Sequence, residues 1–188
     1  MKQPLIPLKN INIAYFYGCD NCSKCCDGSQ FLFAPIFLSD IKEIYRYFPI
    51  VFAKIGTHLR LVYILSDGKP CKYLHNGICS IYHHRPHACK TYPLTLFQNQ
   101  IALDISCPAV GSLGVPIATD SAYDSRFFHP RFKNWKTKQQ QTQRFINVQK
   151  GYKKLGKVNE YTIYEGVGST IYHQMIKKSL SGGFPAKS

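Results

Sequence analysis

Eight cysteines carry most of the chemistry available to this 188-residue chain. Four stand together as Cys19-x2-Cys22-x2-Cys25-Cys26. Three follow as Cys71-x7-Cys79-x9-Cys89, and the last is Cys107, directly before Pro108. A Cys-x2-Cys pair lets two thiolates reach one metal ion from a tight turn. Asp20, Asn21, Ser23, Asp27 and Gly28 are the small, turn-forming residues such a knuckle needs. Neighbouring side chains on an extended backbone point to opposite sides. That geometry predicts that Cys25 and Cys26 do not share one small ion: one of them serves a second site, bridges, or stays unligated.

Eight thiols are enough for two four-cysteine sites, or for one cluster with thiols to spare. Disulfides are rare in reducing compartments, and two adjacent cysteines beside Cys-x2-Cys pairs make a poor framework for them. Unligated cysteine packs well as a small hydrophobe, but four within the polar segment 19–26 do not read as core. Metal ligation is the reading left. All-sulfur coordination suits zinc or an iron–sulfur cluster, and copper(I) is also soft enough. The bacterial ferredoxin spacing is absent.

Other residues cluster near these thiols in sequence. His83, His84 and His87 surround Arg85-Pro86. Histidines between two cysteine ligands could bind metal, or, since eight cysteines already suffice, stand exposed or behind the ligands. Arg85, His87 and Tyr82 are candidates to orient the ligands and tune the centre. A fixed guanidinium at Arg85 would stabilise anionic thiolates. No Ser-His-Asp set stands out, and Cys89 with His87 as nucleophile and base is discounted inside a metal-type framework.

These blocks resemble the YkgJ-type cysteine-cluster proteins, the CxxCxxCC family of zinc- or iron-chelating domains. The resemblance rests on Cys19, Cys22, Cys25 and Cys26. It continues in Pro70-Cys71-Lys72-Tyr73-Leu74, Gly77-Ile78-Cys79-Ser80-Ile81-Tyr82 and Arg85-Pro86-His87-Ala88-Cys89-Lys90-Thr91-Tyr92-Pro93. Cys107-Pro108 closes the match, which covers roughly residues 15–110. It implies an iron or zinc centre held by Cys19, Cys22, Cys25, Cys26, Cys71, Cys79, Cys89 and Cys107. A better-defined relative, the bacterial flagellin lysine N-methylase, carries a similar cluster, which implies protein modification as one role. Such an enzyme predicts S-adenosylmethionine binding, which calorimetry would read. The Cys-x3-Cys-x2-Cys of radical S-adenosylmethionine enzymes and a GxGxxG nucleotide loop are both absent.

Elements must position these residues. Asp40 with Glu43 is a capping-box-like helix start, followed by Ile41, Ile44, Tyr45 and Phe48 at helical spacing and stopped by Pro49. Residues 59–65 read as a strand ending at Asp67-Gly68, and Asn76-Gly77 as a turn. Pro86 suits the first turn of a short helix carrying Cys89. Residues 94–105 read as a hairpin turning around Gln98-Asn99-Gln100, and 111–124 as a loop. From about 130 to 155 the chain looks helical, ending at Gly156. A strand is expected over 158–165, then a last helix capped by Ser169 with Lys177 and Lys178 at its end.

The chain carries 24 basic and 10 acidic residues, a formal net charge of +14. Residues 1–110 hold 11 basic and 6 acidic residues, and 111–188 hold 13 and 4, so the charge shifts where the cysteines stop. The expected organisation is a cysteine-cluster metal-binding domain over 1–110 and a basic extension, packed on it, over 111–188. The stretch 125–159 has ten basic residues and no acidic one: Arg126, Arg131, Lys133, Lys136, Lys138, Arg144, Lys150, Lys153, Lys154 and Lys157. Phe127, Phe128, Phe132, Trp135, Phe145 and Tyr152 are interleaved. Such a stretch is a solvated face, a site for nucleic acid or an acidic protein, or a helix with a buried aromatic side.

A hydrophobic content of 45% excludes wholesale disorder. The longest apolar run, 31–38, is interrupted by Pro35 and falls well short of the roughly 20 residues of a spanning helix. Pro4, Pro7, Asn10 and Asn12 make a poor signal peptide, so a cytoplasmic protein is expected. The expected fold is α+β: a small metal-stabilised cysteine-rich domain with a basic, largely helical C-terminal region. The expected function is binding of an iron–sulfur cluster or zinc, in a redox or protein-modification role. The alternatives are a structural zinc module whose basic region binds a partner or nucleic acid, and a lysine N-methylase-like enzyme.

Overall fold

Short runs of β-branched and aromatic residues, broken by Gly, Asn and Pro, fold this chain mainly into strands. They form sheets of three, four, five and two strands. The computed structural model describes residues 5–19, 22–28, 31–97, 100–119, 122–123 and 131–181. Two units are built, each from two separate stretches: Met1–Gln30 with Lys72–Lys133, and Phe31–Cys71 with Asn134–Ser188.

The first unit opens with β1 (Leu5–Pro7) and β2 (Ile13–Phe16). The second takes β3 (Phe33–Pro35), α1 (Ile41–Ile44), β4 (Ile50–Ile55) and β5 (His58–Ile64). The chain returns to the first for β6 (Leu74–His75), β7 (Ile78–Cys79), α2 (His87–Thr91), β8 (Leu94–Phe97) and β9 (Gln100–Asp104). There follow β10 (Val110–Gly111), β11 (Val115–Thr119) and β12 (Ala122–Tyr123). The second unit is completed by α3 (Trp135–Asn147), β13 (Tyr152–Val158), β14 (Tyr161–Gly166) and α4 (Ile171–Leu180).

In the first unit the sheet orders are β1-β9-β8, β10-β2-β11-β12 and β6-β7. Leu94, Leu103 and Ile117 are fully buried beneath them. The β8–β9 hairpin is present, with Leu94 opposite Leu103, while Gln98 and Asn99 of its turn lie outside the described residues. Asn76 and Gly77 both take positive φ, 50° and 77°. That conformation is what a two-residue hairpin loop requires, and it folds β7 back on β6.

In the second unit the sheet order is β13-β14-β4-β5-β3. One core group on it comprises Val51, Ala53, Val62, Ile64, Val158 and Ile163. Elsewhere on the sheet Phe52 stacks on Phe145 of α3, ring centroids 6.1 Å apart. Two buried hydroxyls fasten the helices. The Ile50 amide donates to Ser179 Oγ at 2.9 Å, and the Leu38 amide donates to Thr142 Oγ1 at 2.8 Å.

The expected largely helical C-terminal region is not what forms. Between 131 and 181, helices α3 and α4 flank the β13–β14 hairpin, which is part of the five-stranded sheet. Lysine-rich sequence favours helix by propensity, but pairing with β14 overrides it in β13. Helix α3 ends at Asn147, and Gly156 lies inside β13 at a bulge where the register shifts. The loop expected over 111–124 also contains strands, β11 burying Ile117 and Ala118 and bulging at Pro116. Near Asp40, the carboxylate accepts from the Phe37 amide at 3.1 Å and caps a 3-10 turn, and the α-helix behind it is one short turn. The last helix is capped by Thr170, not Ser169.

Candidate metal centre

The CxxCxxCC segment leaves β2 through Gly18, whose φ of +107° suits glycine. Strand β2 pairs with β10, Phe16 opposite Val110, and the Tyr17 amide donates to the Ala109 carbonyl at 3.3 Å. The Tyr17 hydroxyl adds a bond to the Pro108 carbonyl at 3.2 Å. The register therefore runs the chain toward Cys19 alongside the turn that holds Cys107.

Cys25 and Cys26 sit in a turn, closed by the Cys26 amide donating to the Ser23 carbonyl at 2.7 Å. Ser23 takes φ +63° to make it. The backbone is therefore not extended there, and the two side chains do not diverge. Their Sγ atoms lie 3.6 Å apart. The Ser23 hydroxyl donates to the Gly77 carbonyl at 3.2 Å, which ties this turn to the hairpin carrying Cys79. Asp20 and Asn21 of the expected knuckle lie outside the described residues.

Electrostatics show which thiols are near one another. Cys25 is raised far above the ordinary thiol range, first by its hydrogen bond with Cys26, then by burial and by the charges of Cys26, Cys89 and Cys19. Cys26 is lowered from 9.0 to about 7, first by that hydrogen bond. Burial and Asp27 work against the shift, and the Arg85 guanidinium works with it. Arg85 is held for this. It stacks on Tyr82 at 3.6 Å and donates Nε–H to the Tyr82 carbonyl at 2.8 Å.

Cys89 is carried by α2, which starts behind Pro86 as the sequence suggests. Cys107 is buried in the turn between β9 and β10, and Cys79 is half-buried on β7. Cys19 and Cys22 are exposed, and none of the eight cysteines forms a disulfide. Cys71 ends the first stretch of the second unit, one peptide bond before Lys72 of the first. His83 meets the edge of Tyr82 at 5.6 Å, His84 is exposed, and His87 opens α2. The sequence does not single out Tyr92 and Asp104 as site residues. The Tyr92 hydroxyl donates to Asp104 Oδ2 at 3.3 Å. Burial, then the charges of Asp104, Cys107 and Cys25, hold the phenol protonated. The hairpin was the available signal, because folding β9 back on β8 returns Asp104 to Tyr92.

Among the described residues, no three His, Cys, Asp or Glu side chains are already arranged to hold a metal ion. The donor chemistry does suit one. Cys25 feels the charges of Cys26, Cys89 and Cys19, and Tyr92 feels those of Cys25 and Cys107. Zinc and iron both accept such sulfur donors.

Compared with protein families, residues 18–108 match CxxCxxCC, described as "Putative zinc- or iron-chelating domain". No curated protein and no solved structure matches the chain. Among the described residues, no helix is long and apolar enough to cross a membrane.

Proposed function

Taking residues 18–108 as a CxxCxxCC domain, we propose that the chain holds a thiolate-ligated metal centre in which Cys25 and Cys26 bind the same ion. The observation that carries this is their Sγ separation of 3.6 Å. Two sulfurs each about 2.3 Å from a tetrahedral metal stand about 3.8 Å apart. The pair therefore needs almost no movement to close on one ion. A zinc ion meets this arrangement. So does one iron of a two-iron, two-sulfide cluster, where each iron takes two thiolates. A four-iron cluster gives each thiolate its own iron, and the short separation argues against it. Cys19 and Cys89, whose charges act on Cys25, are the further donors proposed first, and Cys22, Cys71, Cys79 and Cys107 complete the proposed set.

Zinc would make this domain a structural module, because a closed four-thiolate site supplies folding energy. A two-iron cluster would give it a redox role, or the part of a cofactor in modifying another protein. Anaerobic purification with metal analysis, acid-labile sulfide and a visible spectrum on one sample tests the proposal. Colourless protein with stoichiometric zinc, or brown protein with equal iron and sulfide, is the expected result. Metal-free protein that binds neither metal on reconstitution would overturn it.

A further inference from the structure

We propose that the open end of the second unit's sheet binds single-stranded nucleic acid through Lys54, Lys154 and Lys157. The three lysines come from separate parts of the sequence, and the register gathers them. Lys154 stands opposite Tyr164, and Lys157 opposite Thr162. Residues two apart on a strand share a face, so both lysines lie on the Tyr164 face of β14. Tyr164 stands opposite Phe52 on β4, which puts Lys54, two residues on, on that face as well. The Phe52 end of the face is covered by Phe145 of α3 and by Tyr152, whose ring is 5.2 Å from Phe52. Lys154 is exposed on the edge strand, in the row of Tyr164 and Phe52, and Lys157 and Lys54 are exposed one step further along, where the face is open.

Lysine on an edge strand is often no more than protection against edge-to-edge pairing. That explains β13 but not Lys54, because β4 is the middle strand of the five. Lys54 lies beside the β4–β5 turn, where it and Ile55 are both exposed, so the hairpin tip leaves this end of the face uncovered. Lys157 and Lys54 are two strand spacings apart, about 10 Å. Half-buried Thr162 and Tyr164 lie between the lysine-bearing strands. Of the carboxylates in this hairpin, Glu165 pairs across from Lys153 on the opposite face, and Glu160 is in the β13–β14 turn, three residues after Lys157.

This chemistry suits a phosphate backbone with unstacked bases. Lysines track the phosphates, and half-buried Tyr164, whose ring meets Tyr152 at 6.3 Å, is the aromatic among them for a base, which a duplex keeps stacked inside. An anionic membrane is the poorer match. It would call for large apolar side chains among the lysines, and exposed Ile55 is one residue from Lys54 and so on the other face.

The test is fluorescence anisotropy of the full, metal-loaded chain with labelled oligo-uridine and oligo-deoxythymidine. Three phosphate contacts predict a log–log salt slope near −2, so affinity falls about twentyfold between 50 and 200 mM salt. K54E/K154E/K157E should weaken binding by more than about tenfold and flatten that slope. K54Q/K154Q/K157Q keeps the proposal testable if the charge reversal unfolds the chain. The control is K42E/K177E/K178E, which removes equal charge from α1 and α4 and should leave binding within about twofold. Equal weakening by both triple variants would mean only general attraction to a basic protein, and would overturn the proposal. So would no binding of either oligonucleotide, or binding only to phosphatidylserine vesicles or to an acidic peptide. A preference for uridine over deoxythymidine would identify RNA as the source.

Discussion

Cys25 Sγ and Cys26 Sγ stand 3.6 Å apart, although the residues are sequence neighbours. The Ser23–Cys26 turn makes this geometry, because it rotates both side chains to one side. If both thiolates hold one ion, removing either destroys the same site. C25S and C26S should then lose the same metal equivalents per chain, and the double variant no more than either. Metal analysis of the three purified variants reads this out. Loss of different equivalents from the two single variants would place the thiols on separate ions.

Arg85 gives a second expectation, with a defined sign. Thiolates bind metal and thiols do not, so uptake weakens as pH falls through the ligand's own range. Cys26 is lowered to about 7 in the folded chain, chiefly by the Cys25 hydrogen bond and further by Arg85. R85Q removes the guanidinium and lets Cys26 rise toward its ordinary 9.0. The pH at which zinc uptake is half-maximal should therefore move upward in R85Q, and R85K should recover part of the difference. Chelator competition across that pH range gives the two curves. Superimposable curves would remove Arg85 from any part in the centre.

The cysteines were legible in the sequence because ligand spacing is local chemistry. The hairpin over 94–105 and the short helix behind Pro86 were legible too, since turn residues set them. The orientation of Cys25 and Cys26 was not, because it depends on a positive φ at Ser23, a residue that takes it only occasionally. Residues 152–155, the lysine-bearing start of β13, read as helix for a different reason. Its identity is fixed by β14, and propensity is a weak guide where a partner strand is available. Lys54 could not be grouped with Lys154 and Lys157 at all, since only the sheet register brings them to one face.

Tyr92 and Asp104 supply a stability prediction. Asp104 is fully buried, and its carboxylate accepts from the Ser106 amide at 3.0 Å, the Ser106 hydroxyl at 2.6 Å and the Tyr92 hydroxyl at 3.3 Å. Tyr92→Phe keeps the ring and removes one donor from a buried carboxylate. The expected cost is about 1–3 kcal/mol, the usual range for leaving such a group less satisfied. Denaturant unfolding of the metal-loaded variant against the parent measures it. A change below the error of extrapolation would mean that the Tyr92 hydroxyl contributes nothing there.

Ser179 makes an equivalent prediction in the second unit. Its hydroxyl accepts from the fully buried Ile50 amide and donates to the Ile176 carbonyl at 2.6 Å. Ser179→Ala leaves a buried N–H without an acceptor, at about 1–3 kcal/mol. Ser179→Thr keeps the hydroxyl and should lose less. Urea unfolding followed by the fluorescence of Trp135, the one tryptophan in the chain, reports on this unit. Equal stability of the alanine variant and the parent would sink the idea.

His173 links the same unit to pH. Its Nδ1 accepts from the Thr170 hydroxyl at 2.7 Å and the Thr170 amide at 3.2 Å, and its Nε2–H donates to Gln149 Oε1 at 2.6 Å. That pattern requires the neutral ring, since protonating Nδ1 converts the acceptor into a donor facing two donors. Burial lowers the His173 pKa below its ordinary 6.5. The unfolded chain therefore binds a proton more readily than the folded one, so stability rises with pH across this range. The contribution is complete above 6.5 and is lost as pH falls below it toward the folded-state value. Thermal unfolding followed through Trp135 should show the midpoint falling as the solution is acidified below that point. The same series on His173→Gln should be flatter, because the titrating group is gone. A parent and variant that fall in parallel would assign the acid sensitivity to other groups and leave the Thr170–His173–Gln149 chain as a cap alone.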